Sequence, residues 1–500
     1  MTSTADKTWT QLLAWTQSLA LASVLLCGLP AQADEAQSPL PVSVLTGFET
    51  LRLPGKERMG LAAAEVLFEL RPGYWLGPVA YGAASGQRGG FFVLGLELQR
   101  RWALTTDLEL LAGLGLGGGG GGAAPVGNGL MLRPSIALLQ TIGPMRAGLS
   151  VSTVQFPGTA IRSQQVGLVA QWQTDFKIKP LGRVGEQVQA EQRSGLGFDQ
   201  IALTHTQVRL RSAAQSMDFP LVGARAAQRL DNQGDVWGLS AAAAVRQDVA
   251  GYMEILGFVG RELALGERLR LGARVSLGLG GGGGVPTGGG LMARLEGTLS
   301  AKLAPGWEAG ASFGRIQGPA PGLRGQVTEL WLATDLEPVA LPSTPGRSGT
   351  VVRTEWAGSL QQMVDVARRD GSKPSIQTLG LALNRWLTPQ VYVSAQAHSA
   401  YGGQAGAYSV GLIGAGWAST SLPAPWQVGA ELLVGGAGGA GVKGVSGAIA
   451  QGLMWAGLTP VVGSAQQWRL GLGRAASLRG GGASPVASLT WAVAFGQVGR

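Results

Sequence analysis

Two histidines, His205 and His398, are the chain's only side chains whose ordinary pKa lies near neutrality. As a general base for a serine nucleophile, either would need an orienting partner within hydrogen-bond reach. His205 sits in "IALTHTQV", where the first repeat unit has Phe48, and His398 sits in "AQAHSAYGG" near a strand end. No serine or carboxylate recurs at a fixed spacing from either. Both are expected to be isolated lumen or loop residues, and no catalytic residue is assigned. The carboxylates Glu65, Glu69, Glu97, Glu109 and Glu431, with Arg270 and Arg274, form a second set. Glu65 and Glu69 stand four residues apart on one strand face, a spacing from which two carboxylates can share a proton. With arginines on the same kind of face, ion pairing across an interior is the expected use. The glycine runs satisfy G-x-G-x-x-G trivially. They carry no phosphate-loop Lys-Ser/Thr and open no helix, so no cofactor is expected. Cys27 is the only cysteine, which leaves no thiol enzyme and no cysteine-ligated metal site, and no metal site is assigned.

The elements that would carry these residues read as strands. From Leu269 the alternate residues are Leu269, Leu271, Ala273, Val275, Leu277 and Leu279, and Arg270, Gly272, Arg274, Ser276, Gly278 and Gly280 lie between them. Period two puts the sets on opposite faces, one wholly apolar and the other charged, hydroxylated or bare. "DLELLAGLGL" and "WQVGAELLVG" show the same alternation, placing Glu109 and Glu431 on the polar face. Runs of 10 to 14 residues exceed the usual soluble strand of about 5–6 and suit a tilted crossing of a bilayer.

Each such strand leads into glycine: "LGLGGGGGGAAPVGNGLM" from Leu114, "LGLGGGGGVPTGGGLM" from Leu277, and a worn "LVGGAGGAGVKGVSGAIAQGLM" from Leu433. Gly129-Leu130-Met131 aligns with Gly290-Leu291-Met292 and Gly452-Leu453-Met454, and Gly148 aligns with Gly310 and Gly471. Three units of roughly 160 residues therefore fill the chain, an internal triplication. Their bounds are about 34–176, 197–336 and 350–495, with polar linkers at 177–196 and 337–349. Eight strands are expected per unit. In the first they lie near Val42–Leu53, Gly60–Leu70, Trp75–Ala84, Gly90–Arg100, Asp107–Gly117, Gly129–Gln140, Met145–Gln155 and Gln165–Asp175. Pro78 and Pro134 fall inside proposed strands, against the usual rule. An even count returns the chain to one side after each unit. The linkers then share one face, and the glycine runs are loops on the other.

Charged residues make up 14% of the chain, against roughly 25% in soluble domains, and 82 of 500 residues are glycine. Residues 1–33, ending in Ala31-Gln32-Ala33, read as a secretory signal peptide cleaved before Asp34. Beyond it no apolar run approaches the ~20 residues of a membrane helix. An exported, charge-poor chain without such helices meets lipid through strands. The net charge of +9 comes with no helix-borne basic patch and no stacking platform, so nucleic acid is not an expected partner. Trp75, Trp102, Trp237, Trp307, Trp417, Trp426 and Trp468 all fall at linker-side strand ends and are expected to form an interfacial girdle.

In these respects the chain resembles bacterial outer-membrane β-barrel proteins, with no specific family matched. "LTWAVAF" carries the alternating apolar face and terminal Phe495 of their last strand, although "GQVGR" follows. The expected fold is all-β: a transmembrane antiparallel β-barrel of about 24 strands from three internal repeats, the alternative being three tandem eight-stranded barrels. Bare glycine walls favour one wide barrel with an open lumen. The expected function is a passive channel or export pore in the outer membrane, weakly anion-leaning through Arg270 and Arg274. Alternatives are a non-conducting scaffold or anchor and, third, a lipid-modifying enzyme. The resemblance implies outer-membrane lipid, the barrel-assembly machinery and a periplasmic protein as partners.

Overall fold

The structure, a computed structural model, describes residues 39–189, 193–211, 216–231, 233–320, 323–337, 348–460 and 464–499. The expected signal peptide and part of each linker lie outside these residues. In the first unit the strands are β1 (Leu40–Arg52), β2 (Arg58–Arg71), β3 (Tyr74–Ser85), β4 (Phe92–Ala103), β5 (Leu108–Gly120), β6 (Leu130–Ile142), β7 (Met145–Gln155) and β8 (Arg162–Phe176). All eight coincide with the strands read from alternation. A three-residue strand β9 (Gln187–Gln189) follows in the linker. The second unit holds β10 (Gln200–Arg211), β11 (Ser216–Arg229), β12 (Asp235–Ala244), β13 (Met253–Leu265), β14 (Leu269–Gly281), β15 (Leu291–Ala304), β16 (Trp307–Gln317) and β17 (Arg324–Asp335). The third holds β18 (Ser348–Met363), β19 (Ile376–Trp386), β20 (Val391–Ala400), β21 (Ser409–Ala418), β22 (Trp426–Gly438), β23 (Gly447–Leu458), β24 (Gln466–Ser477) and β25 (Ala483–Gly499).

The strands close within units. β1 pairs with β8, β10 with β17 and β18 with β25, so the molecule is three eight-stranded antiparallel barrels, and β9 adds to the end of β18. The strand number, the triplication and the all-β transmembrane pattern are as expected. Of the two arrangements, the tandem one is found, and the single wide barrel is corrected. The reason is pairing register. The last strand of each unit lies fully alongside its first, from Leu40↔Phe176 to Glu49↔Gly167 in the first barrel. No edge remains to join neighbouring units.

Each barrel is polar within and apolar without. On the outer faces Leu168, Leu299 and Leu472 are 64%, 50% and 67% exposed, an arrangement suited to hydrocarbon and not to water. The two prolines are accommodated by lapses in the ladder. Pro78 pairs with Leu96 of β4, while on the β2 side the pairs between Glu65↔Val79 and Phe68↔Leu76 are missing, with the register unchanged. The β6–β7 ladder likewise lacks pairs between Leu132↔Gln155 and Ser135↔Ser152, around Pro134, without a change of register. One repeat anchor does not hold structurally. Met131 and Met292 are fully buried inside their barrels, whereas Met454 points outward, 74% exposed, and Ile449 occupies the inner position in the third barrel. The terminal strand continues through "GQVG" to Gly499, and Phe495 packs edge-on against Phe176 of the first barrel, centroids 5.3 Å apart.

Candidate functional site: filled lumens and the chamber between them

All seven charged residues assigned to the interior lie there. In the first barrel Arg133 donates from Nε and Nη2 to Glu49 at 3.0 and 3.1 Å, and Ser152 Oγ donates to the same carboxylate at 2.7 Å. Gln99 donates to Glu65 at 2.9 Å, Tyr81 to Glu97 at 3.3 Å, and Arg146 to Glu109 at 3.3 Å. Glu69, at the linker end, accepts the backbone N–H of Gly73. In the second barrel Arg274 bridges Glu296 and Glu329 at 3.0 and 3.1 Å, Arg225 reaches Glu329 at 2.8 Å, and Arg270 reaches Glu308 at 3.1 Å. In the third, Arg469 and Arg353 both contact Glu355, at 2.7 and 2.6 Å, and Glu431 accepts from Tyr392 and Gln396. The carboxylates are thus held against arginines, amides or, at Glu97, a tyrosine hydroxyl. The expected anion-leaning lumen wall is corrected at Arg270 and Arg274, because the field of each guanidinium is met by carboxylates in contact with it.

Sequence reasoning missed Glu49, Arg133, Glu254, Arg294, Glu296, Glu329, Glu355 and Arg469, all of which take part in buried ion pairs. Glu49 and Arg133 sit between residues of no clear alternation, in "GFETL" and "MLRPS". Their inward direction follows only from register. Above and below the charged layer the lumens are filled by apolar side chains. Toward the loops these are Met59, Phe91, Met131 and Phe156 in the first barrel, Phe219, Tyr252 and Met292 in the second, and Met363, Tyr408 and Ile449 in the third. The open, smooth lumen expected from the glycines is corrected on this evidence.

Trp75 is corrected too. It lies inside the first barrel, 5% exposed, under the Arg101 guanidinium at 4.1 Å. Trp102, Trp307, Trp417 and Trp426 are exposed on outer walls at the linker side, as the girdle requires. Trp237 is half-buried there, its indole N–H donated to Gln228. Trp468 faces inward between the barrels, 6.4 Å from Trp491. His205 projects from the outer wall of β10 beside Leu330 and Val222. His398 is buried inside the third barrel with Nε2 3.1 Å from Gln396 Oε1. The two are on different barrels, and the structure assembles no Ser–His–carboxylate group around either among the described residues.

The glycine runs join barrels to one another. The run after β14 docks on the β3–β4 loop, where Gly89 N–H donates to Gly288 O at 2.6 Å. The run after β5 docks on the β20–β21 loop, where Gly406 N–H donates to Gly127 O at 3.1 Å. The run after β22 docks on the β12–β13 loop, where Ala448 N–H donates to Val245 O at 2.9 Å. Each barrel thus offers its glycine run to one neighbour and its β3–β4-type loop to the other, a head-to-tail ring that closes after three. Backbones meet so closely that a Cβ on Gly90 would lie 2.1 Å from Gly282 N, and one on Gly438 2.2 Å from Gly251 N. Only glycine permits this approach.

Below that ring the outer walls stand apart around a partly open cavity of about 1890 Å3 lined from all three barrels. Leu96 and Leu116, Val222 and Ile255, and Leu360 and Val434 represent the three walls. On the linker side the lining passes to Ile178, Lys179, Pro180 and Leu181, and to Trp468 and Trp491. Phe68, Phe176, Trp356 and Phe495 stack edge-to-face there, centroids 5.0 to 5.4 Å apart, and fasten the first barrel to the third.

No protein-family model and no curated protein matches this sequence. Among solved structures the chain is similar to the siderophore receptor PirA from Pseudomonas aeruginosa, at 11% identity and TM-score 0.25, over 92% of this chain and 81% of that one. It is similar to the outer membrane protein OpdK from the same species at 10% identity and TM-score 0.20, covering 91% and 99%. The FrpB iron transporter from Neisseria meningitidis gives 10% and 0.28, covering 92% and 82%. At such TM-scores the overlap carries no argument about this chain. Its construction speaks for itself: closed antiparallel barrels of even strand number, polar inside and apolar outside, the plan of an outer-membrane β-barrel protein.

Proposed function

We propose that the protein is an outer-membrane protein that accommodates apolar molecules in the chamber between its barrels, with lumens that do not conduct as they stand. The observation that carries this is the contrast between the two kinds of interior. The lumens are crossed by ion pairs and packed with aromatic and aliphatic side chains, whereas the large cavity lies outside all three and is walled by leucine, valine and alanine. Ligand pockets usually span about 300–1,000 Å3. This one exceeds that range, which suits chain-like or several small apolar guests. Of the functions expected from the sequence, transport by an outer-membrane barrel keeps its place with a different path, and the non-conducting scaffold agrees with the sealed lumens. The wide anion-leaning pore loses its structural basis.

The test is a planar-bilayer recording on refolded protein, paired with organic extraction of protein purified from membranes. The expected outcome is no steady conductance from protein whose folding is verified by heat-modifiable gel migration, together with apolar material recovered in defined stoichiometry. Large steady steps would mean that a lumen opens and would sink the reading. Three coupled small levels would assign conduction to the individual barrels.

A further inference from the structure

A strongly charged patch lies on the outer wall of the second barrel, on strands that adjoin the chamber wall at Val222 and Ala224. Outward-facing residues of β16, β17, β10 and β11 form rows across that wall. The first row is Ala309, Leu332, Leu203 and Ala224, and the second is Ala311, Leu330, His205 and Val222. A transitional row of Phe313, Thr328, Gln207 and Pro220 follows. Above it stand Arg315, Gln326, Arg209 and Asp218, and then Gln317, Arg324, Arg211 and Ser216 at the loop-side rim. Four arginines and two amides thus occupy neighbouring sites on three strands about 4.8 Å apart. The wall changes from hydrocarbon-facing to cationic within one row.

Arg211 and Arg324 are directly opposite in the ladder. Like charges placed so repel and destabilise the pair. Asp218 answers Arg209 at 3.2 Å, but no carboxylate among the described residues pairs with Arg211, Arg315 or Arg324. The adjoining loop sequences, "SAAQ" at 212–215 and "PG" at 321–322, contain no acid. The first barrel repeats the motif, with Arg52 directly opposite Arg58 and both exposed on the outer wall. In the third barrel the buried Gln362 takes the matching strand position, opposite Gln377 and Ala487, so the barrel fold itself does not need the arginines.

We infer that Arg209, Arg211, Arg315 and Arg324 form a clasp for the phosphate groups of a phosphorylated glycolipid in the outer leaflet. The loop-side rim is the outer rim when the linkers are periplasmic. There the apolar rows of the wall take the acyl chains, and the guanidinium forks meet phosphate oxygens at headgroup height. Arginine suits this position because its planar fork bonds phosphate at two points. Gln317 and Gln326 add neutral donors. A phosphate between Arg211 and Arg324 turns their repulsion into a shared attraction.

The full chain is refolded into phosphatidylethanolamine vesicles doped with bisphosphorylated lipid A, with its dephosphorylated form, or with phosphatidylglycerol. Lipid retained through detergent re-extraction is then counted. The wild type is expected to retain the phosphorylated glycolipid in preference to both controls. The variant R209Q/R211Q/R315Q/R324Q is expected to retain about tenfold less, the equivalent of losing one charge-assisted bond. Excess inorganic phosphate should not displace the glycolipid, since the apolar rows hold its tails; displacement would make this a free-phosphate site and overturn the proposal. Equal retention of phosphatidylglycerol would reduce the patch to unspecific anion attraction. Should the variant fail to refold, the comparison of phosphorylated and dephosphorylated glycolipid on the wild type decides alone, with equal retention overturning the clasp.

Discussion

Arg133 shows how much one side chain does inside a small barrel. It is 6% exposed and donates two bonds to Glu49, which is 5% exposed and receives a third from Ser152. Removing one partner of a buried pair leaves an uncompensated charge, at a cost of about 3–5 kcal/mol, whereas replacing both can be nearly neutral. Arg133→Leu is therefore expected to lower the urea midpoint of the first barrel sharply. Glu49→Leu/Arg133→Leu should recover most of that loss. A double variant as unstable as the single one would show that the ion pair is not what holds this layer. At this scale the sequence was legible where polar residues interrupt an apolar alternation, as at Glu109, Arg270, Arg274 and Glu431. It was not legible at Trp75. Around that residue "YWLGPVAYG" is apolar on both faces, so nothing local says which side the indole takes. Its inward direction follows from pairing with Glu69 and Gln99, and the guanidinium of Arg101 stacks over it.

The glycine runs belong to the scale of elements. They stood out in the sequence and were legible as loop-side structure, yet their use was not. A run without side chains suits an open rim and a close backbone contact equally well, and only the neighbouring barrel distinguishes the two. Gly406 offers a clean test, because a Cβ there would lie 2.6 Å from both Gly129 Cα and Val126 Cγ2. Gly406→Val is expected to part the rims of the first and third barrels while leaving each barrel folded. Cys27 is the chain's only cysteine, so with Cys27→Ser in place cysteines introduced at Asn128 and Gln404 can be joined by a short bismaleimide; Gln404 N–H already donates to Asn128 Oδ1 at 2.8 Å. The Gly406→Val background should lose most of the cross-link with little change in thermal unfolding. An undiminished cross-link would mean that the ring tolerates a side chain at this junction.

At the scale of the whole molecule, strand existence and facing were legible because alternation is local, but closure was not. Whether the eighth strand returns to the first or continues to the ninth depends on pairing between residues more than a hundred positions apart, as at Leu40↔Phe176. The linkers bind the assembly from below. Lys179 and Gly496 exchange backbone hydrogen bonds at 2.8 Å, Arg385 donates to Leu336 O at 2.6 Å, and Ser194 N–H donates to Glu337 at 2.9 Å. Burial pushes the Glu337 carboxyl up to about 7, although the Ser194 N–H pulls the other way. A carboxyl raised on folding binds more protons folded than unfolded between its ordinary range and about 7. Stability therefore falls as pH rises through that window. The unfolding temperature is expected to be higher at pH 5 than at pH 8, and Glu337→Gln should flatten the difference. An unchanged slope in that variant would assign the pH dependence elsewhere.

A ring that closes head to tail needs three subunits with matching ends, and separate identical chains would supply them equally well. Joining the units covalently removes the requirement that they be identical. A substitution in a symmetric trimer appears at all three positions at once and must be tolerated at each, whereas here each barrel can change alone. The opposed arginines present on two barrels and absent from the third, and the outward Met454 where its counterparts are buried, are differences of that kind. A fused ring can therefore divide labour among its members. One wall can specialise in gripping the membrane while another is freed to bind something else.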